Sequence, residues 1–296
     1  MIARLGAFVR LSRPLFLYGG LAGVALGAAV AAHGGHRIEL AGYLWVQLMV
    51  TSAQLMVHYA NDYFDRAGDT GVRRTAWSGG SGVLVGAELA PRVASIAALL
   101  SAACSLGAAV RFALAGDPAV AALGVAIVVL AWCYSAPPVR LAARSLGELD
   151  TVLVVAVLVP CAAYLAFAPG LDEHILSALV APALAMFTMM LGVELPDAAG
   201  DARAAKRTLV VAWGPARTWQ MIRVGALAGG LTAIGRAFEL QGAAGVLALV
   251  PAAVAAGALI RRTGGDPRPA TIAFWGVALF ATLATGLAAV YALPPR

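Results

Sequence analysis

Nine stretches of this chain read as membrane spans, and that pattern leaves few folds open. They lie near 14–32, 41–60, 93–115, 119–135, 147–168, 174–193, 219–238, 243–260 and 271–293. A spanning helix needs about 20 apolar residues, because every backbone polar group must be satisfied inside the segment once water is gone. Of the 296 residues, 61% are hydrophobic and only 12% charged, against roughly a quarter charged in a soluble domain. The expectation is an all-α integral membrane protein of about nine transmembrane helices, with residues 1–296 forming one domain. Arg4, Arg10 and Arg13 before the first span imitate the start of a signal peptide. Eight further spans argue that the first is retained.

Basic residues set the expected orientation. With the N-terminus in the cytoplasm, seventeen of the 21 Lys and Arg fall on the cytoplasmic side, leaving Arg37, Arg111, Arg236 and Arg296 outside. The net charge of +6 is then mostly topology, and it suits anionic head groups or an anionic substrate. It makes no case for nucleic acid, since the cations are scattered over loops without a binding motif. Cys104, Cys133 and Cys161 all fall inside spans, without metal-ligand spacing, and read as small core residues.

Two loops on the cytoplasmic side carry matched acids. The first follows span two and begins "NDYFDRAGDTGVRRT"; the second follows span six, "VELPDAAGDARAAKRT". Asp62, Asp65 and Asp69 superpose on Glu194, Asp197 and Asp201 at an offset of 132, and Arg74 then falls on Lys206. Spacings of three and four place each set on one helix face. Spans two and six point the same way, so the chain reads as a duplicated four-helix repeat, with a working site between the halves. Acids at a helix C-terminus oppose the helix dipole, and two such clusters facing each other repel. A divalent cation relieves both problems. Mg2+ binds through one or two carboxylates plus phosphate oxygens, so two carboxylate clusters beside Arg and Lys point to a diphosphate held through Mg2+.

These residues also resemble a known family. "NDYFDRAGD" and "ELPDAAGD" look like the two aspartate-rich motifs of the UbiA-type intramembrane prenyltransferases, and "RLSRPLFLYGG", "WCYSAPPVRL" and "KRTLVVAWG" resemble further stretches of that family. Within it, "SGGSGVLVGAELAPR" and "RSLGELDTVLVV" look most like the branch that prenylates 1,4-dihydroxy-2-naphthoate for menaquinone. Val193, Gly82 and "VVAWG" depart from the usual pattern of related sequences. The resemblance implies a helical bundle around a central lipid-facing cavity in the cell (inner) membrane, with its active-site loops cytoplasmic. A polyprenyl diphosphate binds there, and an aromatic acceptor captures the allylic cation. It also implies that Asn61, Asp65 and Asp69 hold one Mg2+ and Asp197 and Asp201 another, with Asp62 and Glu194 as neighbours.

Other residues take roles from their position. Arg13 is either a membrane-interface anchor or a contact at the polar end of the cavity. Arg74, Lys206 and Arg207 are candidate diphosphate contacts, Lys206 being the only lysine in the chain. Tyr134 ends span four before Pro137 and Pro138; its ring is a candidate for stabilising the forming cation, with Arg140 just beyond it in the substrate-binding set. Glu148 and Asp150 open span five, where acids are expensive unless they face a cavity; Glu148 is a candidate to orient the acceptor hydroxyl or act as a base. His58 reads as a helix-packing polar group, with a place on the pocket wall as the alternative. The stretch from Thr75 to Gly82 reads as a lid that excludes water. The leading expectation is Mg2+-dependent prenyl transfer. A terpene cyclase would use the same motifs without an acceptor, and a transporter would need charges nearer the midplane.

Overall fold

A computed structural model describes residues 2–67, 77, 80–261 and 269–294. Among these residues every regular element is a helix. The elements run α1 (Ile2–Leu11), α2 (Tyr18–His33), α3 (Leu40–Asp65), α4 (Pro91–Leu114), α5 (Pro118–Ser135), α6 (Gly147–Thr151), α7 (Val159–Leu165), α8 (Glu173–Glu194), α9 (Ala198–Arg203), α10 (Leu209–Ala248), α11 (Val250–Arg261) and α12 (Pro269–Ala292).

The helix starts follow from local chemistry. Pro91 and Pro118 open α4 and α5, where a missing N–H costs nothing. Asp172 caps α8, accepting from the amides of His174 at 3.0 Å and Ile175 at 3.1 Å and from the Tyr164 hydroxyl at 2.7 Å. Partial burial works to raise the pKa of Asp172, but those donors outweigh it and hold the carboxyl below its usual range. Thr208 caps α10 through its hydroxyl and the Val211 amide, 3.3 Å away.

The core divides into two clusters. One is built from α3, α4 and α5, the other from α8, α10, α11 and α12, and α2 and α7 contribute to both. This is the two-halved bundle that the repeat predicts, with a cavity between the halves. Gly27 sits where α2 crosses span five so closely that a Cβ would run into the carbonyl oxygen of Pro160. Span five itself is not a plain helix: between α6 and α7, Val152–Leu158 winds as a π-helix.

The span count corrects the expectation of nine. Among the described residues, seven helical segments are each long and apolar enough to cross a membrane; α10 and α11 qualify only together, bent by 74°, which makes eight at most there. Where spans 219–238 and 243–260 were expected, α10 runs from residue 209 and breaks at Gly214 (φ 73°) and Gly242 (φ 57°), conformations that glycine adopts without steric cost. Polar residues there, Arg223, Arg236 and Gln241, dilute the apolar signal of each part. The sequence reading also missed α1. It packs Ala7 and Leu11 inward, and Phe8 stacks on Tyr59 of α3 with ring centroids 5.6 Å apart.

Candidate active site

Among the described residues, Asn61 and Asp65 of the first acidic block and Glu194, Asp197 and Asp201 of the second line one cavity of about 610 Å3, at its polar mouth. Asn61 and Asp65 come from the last turns of α3; Glu194 ends α8, Asp197 precedes α9 and Asp201 lies within it. One cation joins them. The Lys206 ammonium stands 3.4 Å from an Asp65 carboxylate oxygen and 3.8 Å from one of Asp201. Burial by itself would lower the pKa of Lys206, but Asp65 first, and then Tyr134, Asp201 and Glu194, override it and hold the ammonium well above its usual value. Lys206 therefore stays charged throughout the working pH range.

Asn61 links the cluster to its neighbours. Its amide donates to Asp65 at 2.8 Å and to the Ser135 hydroxyl on α5 at 2.9 Å, while its carbonyl accepts from Arg13 at 3.2 Å. Arg140 lies at the edge, 4.0 Å from Asp65. Arg13 and Arg140 share a further property: both have φ 47° and each directly precedes a short 3-10 turn, the first leading into α2 and the second toward α6. The duplication thus extends to two arginines in a left-handed conformation that costs a non-glycine residue about 1–3 kcal/mol. Their spacing of 127 residues differs from the 132 of the acids, which hid the match in the sequence.

Asp62 has a different place from Asp65. It is 4% exposed and does not line the cavity. Arg13 and the Ser81 hydroxyl both bond to it, and the Ser81 amide lies 3.3 Å from each of its oxygens. Asp62 therefore ties the loop after α3 to the start of the chain. Part of the expected lid can be followed: Trp77 lines the cavity and packs edge-on to Phe16 at 6.2 Å and near Phe274 at 6.3 Å. Asp69 and Arg74, and the lid residues 75, 76, 78 and 79, lie outside the described residues.

Tyr134 lines the cavity within electrostatic reach of Glu194, Lys206, Glu148 and Asp65. Arg207 is not brought to the cavity. Its side chain is exposed, and its backbone joins the loop after α5, through the Ala143 carbonyl at 3.2 Å and the Ser145 hydroxyl at 2.7 Å. Glu148 is fully buried but lies off the cavity wall; one carboxylate oxygen accepts from the Leu209 amide, so it caps the first turn of α10. Two cavity residues were underweighted by sequence reasoning. His58, one turn below Asn61, lines the cavity and has its Nδ1 2.9 Å from the Ser12 carbonyl, which makes that nitrogen the donor. Asp150 also lines it. The available signal was the helical spacing of Gln54, His58, Asn61 and Asp65, all on one face of α3 and all on the cavity wall.

Among the described residues no three His, Cys, Asp or Glu side chains converge closely enough to form a ready-made metal cage. The donor set nevertheless fits Mg2+, which takes few protein ligands and completes its shell with water and phosphate oxygens. Asp65 and Asp201 are drawn from two motifs to within 4 Å of one ammonium, and among the described residues one buried carboxylate oxygen of Glu194 has no hydrogen-bond partner.

The same architecture recurs in solved structures. A UbiA homolog from Archaeoglobus fulgidus bound to GPP and Mg2+ aligns with a TM-score of 0.64 at 15% identity, over 97% of this chain and 100% of that one. A digeranylgeranylglyceryl phosphate synthase aligns at 0.64 and 12% identity, over 98% and 99%. The apo UbiA homolog from Aeropyrum pernix K1 aligns at 0.63 and 17% identity, over 92% and 96%. Curated protein sequences give no significant match. The model of the UbiA prenyltransferase family matches residues 20–281, nearly the whole of the helical bundle and both acidic blocks. By that match the chain belongs to the UbiA prenyltransferase family.

Proposed function

We propose that this protein transfers a polyprenyl group from its diphosphate to an aromatic acceptor, a dihydroxynaphthoate-like quinone precursor, and that it works with Mg2+ at the cytoplasmic face of the cell membrane. The observation that carries the proposal is the meeting of two acidic motifs on Lys206 at the mouth of a cavity lined mostly by apolar side chains. The mouth suits a charged head group and the interior suits a hydrocarbon chain; about 610 Å3 lies within the ~300–1,000 Å3 of ordinary ligand pockets. Structural relatives bound to prenyl diphosphates and Mg2+ support the same substrate class.

Asn61, Asp65 and Asp69 on one side, and Asp197 and Asp201 on the other, are the residues that would hold the metal. When bound, Mg2+ supplies charge neutralisation for a departing diphosphate. Lys206 presents a permanent positive charge to the diphosphate, with Arg13 and Arg140 beside it. Tyr134 lines the cavity beside the acidic motifs, where an aromatic ring favours positive charge on the allylic carbon. The aliphatic walls below, from residues such as Val154, Val155 and Met186, keep water from that carbon. Asp62, through Arg13 and Ser81, keeps the covering loop in register. The naphthoate acceptor rests on the likeness of residues 78–92 and 144–155 to that branch.

The test is purified protein incubated with Mg2+, a series of prenyl diphosphates, and 1,4-dihydroxy-2-naphthoate, read by mass spectrometry. A prenylated naphthoate that disappears with EDTA is the expected product. A terpene formed without acceptor would refute the transfer reading and retain the diphosphate site.

A further inference from the structure

Asp150 is the acid that the diphosphate site does not use. It is 7% exposed and lines the cavity. Among the described residues its Oδ1 is buried without a hydrogen-bond partner, and no ion pair reaches its carboxyl. Two cations that line the same cavity are engaged elsewhere. Arg13 bonds to Asp62 and Asn61, and Lys206 to Asp65 and Asp201. The neighbouring Thr151 hydroxyl donates to the Gly147 carbonyl at 3.0 Å, and Glu148 caps α10. The wall that continues from Asp150 is the π-helix, which adds only aliphatic Val154 and Val155 to the cavity.

A carboxyl in such surroundings costs several kcal/mol unless a donor meets it. Its place in the first turn of span five recovers only about 0.3–1 kcal/mol through the helix dipole. A donor on a ligand in the cavity would meet it. A prenyl chain has no donor, and a diphosphate has only acceptor oxygens and negative charge. The second substrate is what remains. α6 packs against α5 and α8, which carry Tyr134 and Glu194, so Asp150 sits on the wall next to the head-group end, where an acceptor ring must lie to reach the first prenyl carbon.

We infer that Asp150 accepts a hydrogen bond from a hydroxyl of the aromatic acceptor, and so sets which ring is bound and which carbon faces the prenyl group. The inference rests on the proposed transfer reaction. It excludes an acceptor that turns its own carboxylate to this wall.

The experiment compares wild type, Asp150→Ala and Asp150→Asn with geranyl diphosphate, Mg2+, and either 1,4-dihydroxy-2-naphthoate or each of its two monomethyl ethers. Losing a hydrogen bond to a charged group predicts that wild type disfavours one ether by about 10- to 100-fold in kcat/KM. Asp150→Ala should erase that discrimination while leaving the KM for geranyl diphosphate within about threefold of wild type. Asp150→Asn, which keeps an acceptor oxygen, should fall between. The inference is overturned if Asp150→Ala discriminates as wild type does, or if its main defect is in geranyl diphosphate KM. Should the alanine variant not fold, wild type that treats both ethers like the diol overturns it equally. Wild type that prenylates no naphthoate at all, while still consuming geranyl diphosphate, refutes the transfer reading itself and removes this inference with it.

Discussion

Replacing Lys206 by Met tests the head-group site most directly. The ammonium lies 3.4 Å from Asp65 and 3.8 Å from Asp201. At an effective dielectric of about 20, each pair is worth roughly 4–5 kcal/mol before desolvation is charged against it. A diphosphate oxygen at similar range gains a comparable amount, and the Met side chain fills a similar volume without the charge. Removing the cation also leaves two carboxylates repelling the incoming diphosphate. After desolvation, a net loss of about 3 kcal/mol is reasonable, which is about 10²-fold in kcat/KM for the prenyl diphosphate. Lys206→Arg should recover part of it. The pKa direction adds a second reading of the same residue. A pKa raised above the ordinary lysine value keeps the charge through pH values where a free lysine begins to lose its proton; the stability it contributes is full below the ordinary lysine pKa and is lost as pH rises from there through the folded value. No alkaline fall in activity from Lys206 is therefore expected below about pH 10. The assay is steady-state kinetics in detergent across prenyl diphosphate concentrations, with a thermal melt to confirm folding. A folded Lys206→Met within about threefold of wild type would refute the reasoning.

Three further substitutions probe the frame around the site. Asp62→Ala leaves the Arg13 charge, on a side chain 20% exposed, without its carboxylate and releases Ser81; a stability loss of about 3 kcal/mol is expected, visible as a lower melting temperature. Glu148→Gln keeps an acceptor for the Leu209 amide and should retain most activity, whereas Glu148→Ala should cost about 1–3 kcal/mol of stability; equal loss of turnover in both, with unchanged melting, would return Glu148 to an acceptor role. Gly27→Ala drives a methyl group into the Pro160 carbonyl and should lower the melting temperature by the equivalent of about 1–3 kcal/mol, and a melt identical to wild type would contradict that close approach.

Much of the fold was legible because a bilayer allows so few solutions. An apolar run near 20 residues has to be a helix, so spans such as 174–193 were readable within a residue or two. Where the signal failed, near 209–261, glycine breaks and interspersed Arg blurred the pattern. The site was partly legible for a similar reason. Carboxylates are costly beside lipid, so two blocks at matched spacing stand out from the background. Sequence spacing does not say where a side chain points, however. Asp62 and Asp65 are one turn apart in the same motif, yet one anchors Arg13 and Ser81 while the other faces Lys206. Glu148 and Asp150 are two residues apart; one caps α10 and the other opens onto the cavity.

The sequence alone determined that the chain is a helical membrane bundle, that it is duplicated, and that both halves bring acids to one end. Those properties follow from hydropathy and residue spacing, which are local. Only the tertiary structure decided that the two motifs meet on Lys206, and which acid of each neighbouring pair faces the cavity. Those depend on how α3, α8 and α10 pack against one another, and a rotation of a few tens of degrees about a helix axis exchanges a buried cap for a cavity wall without changing a single residue.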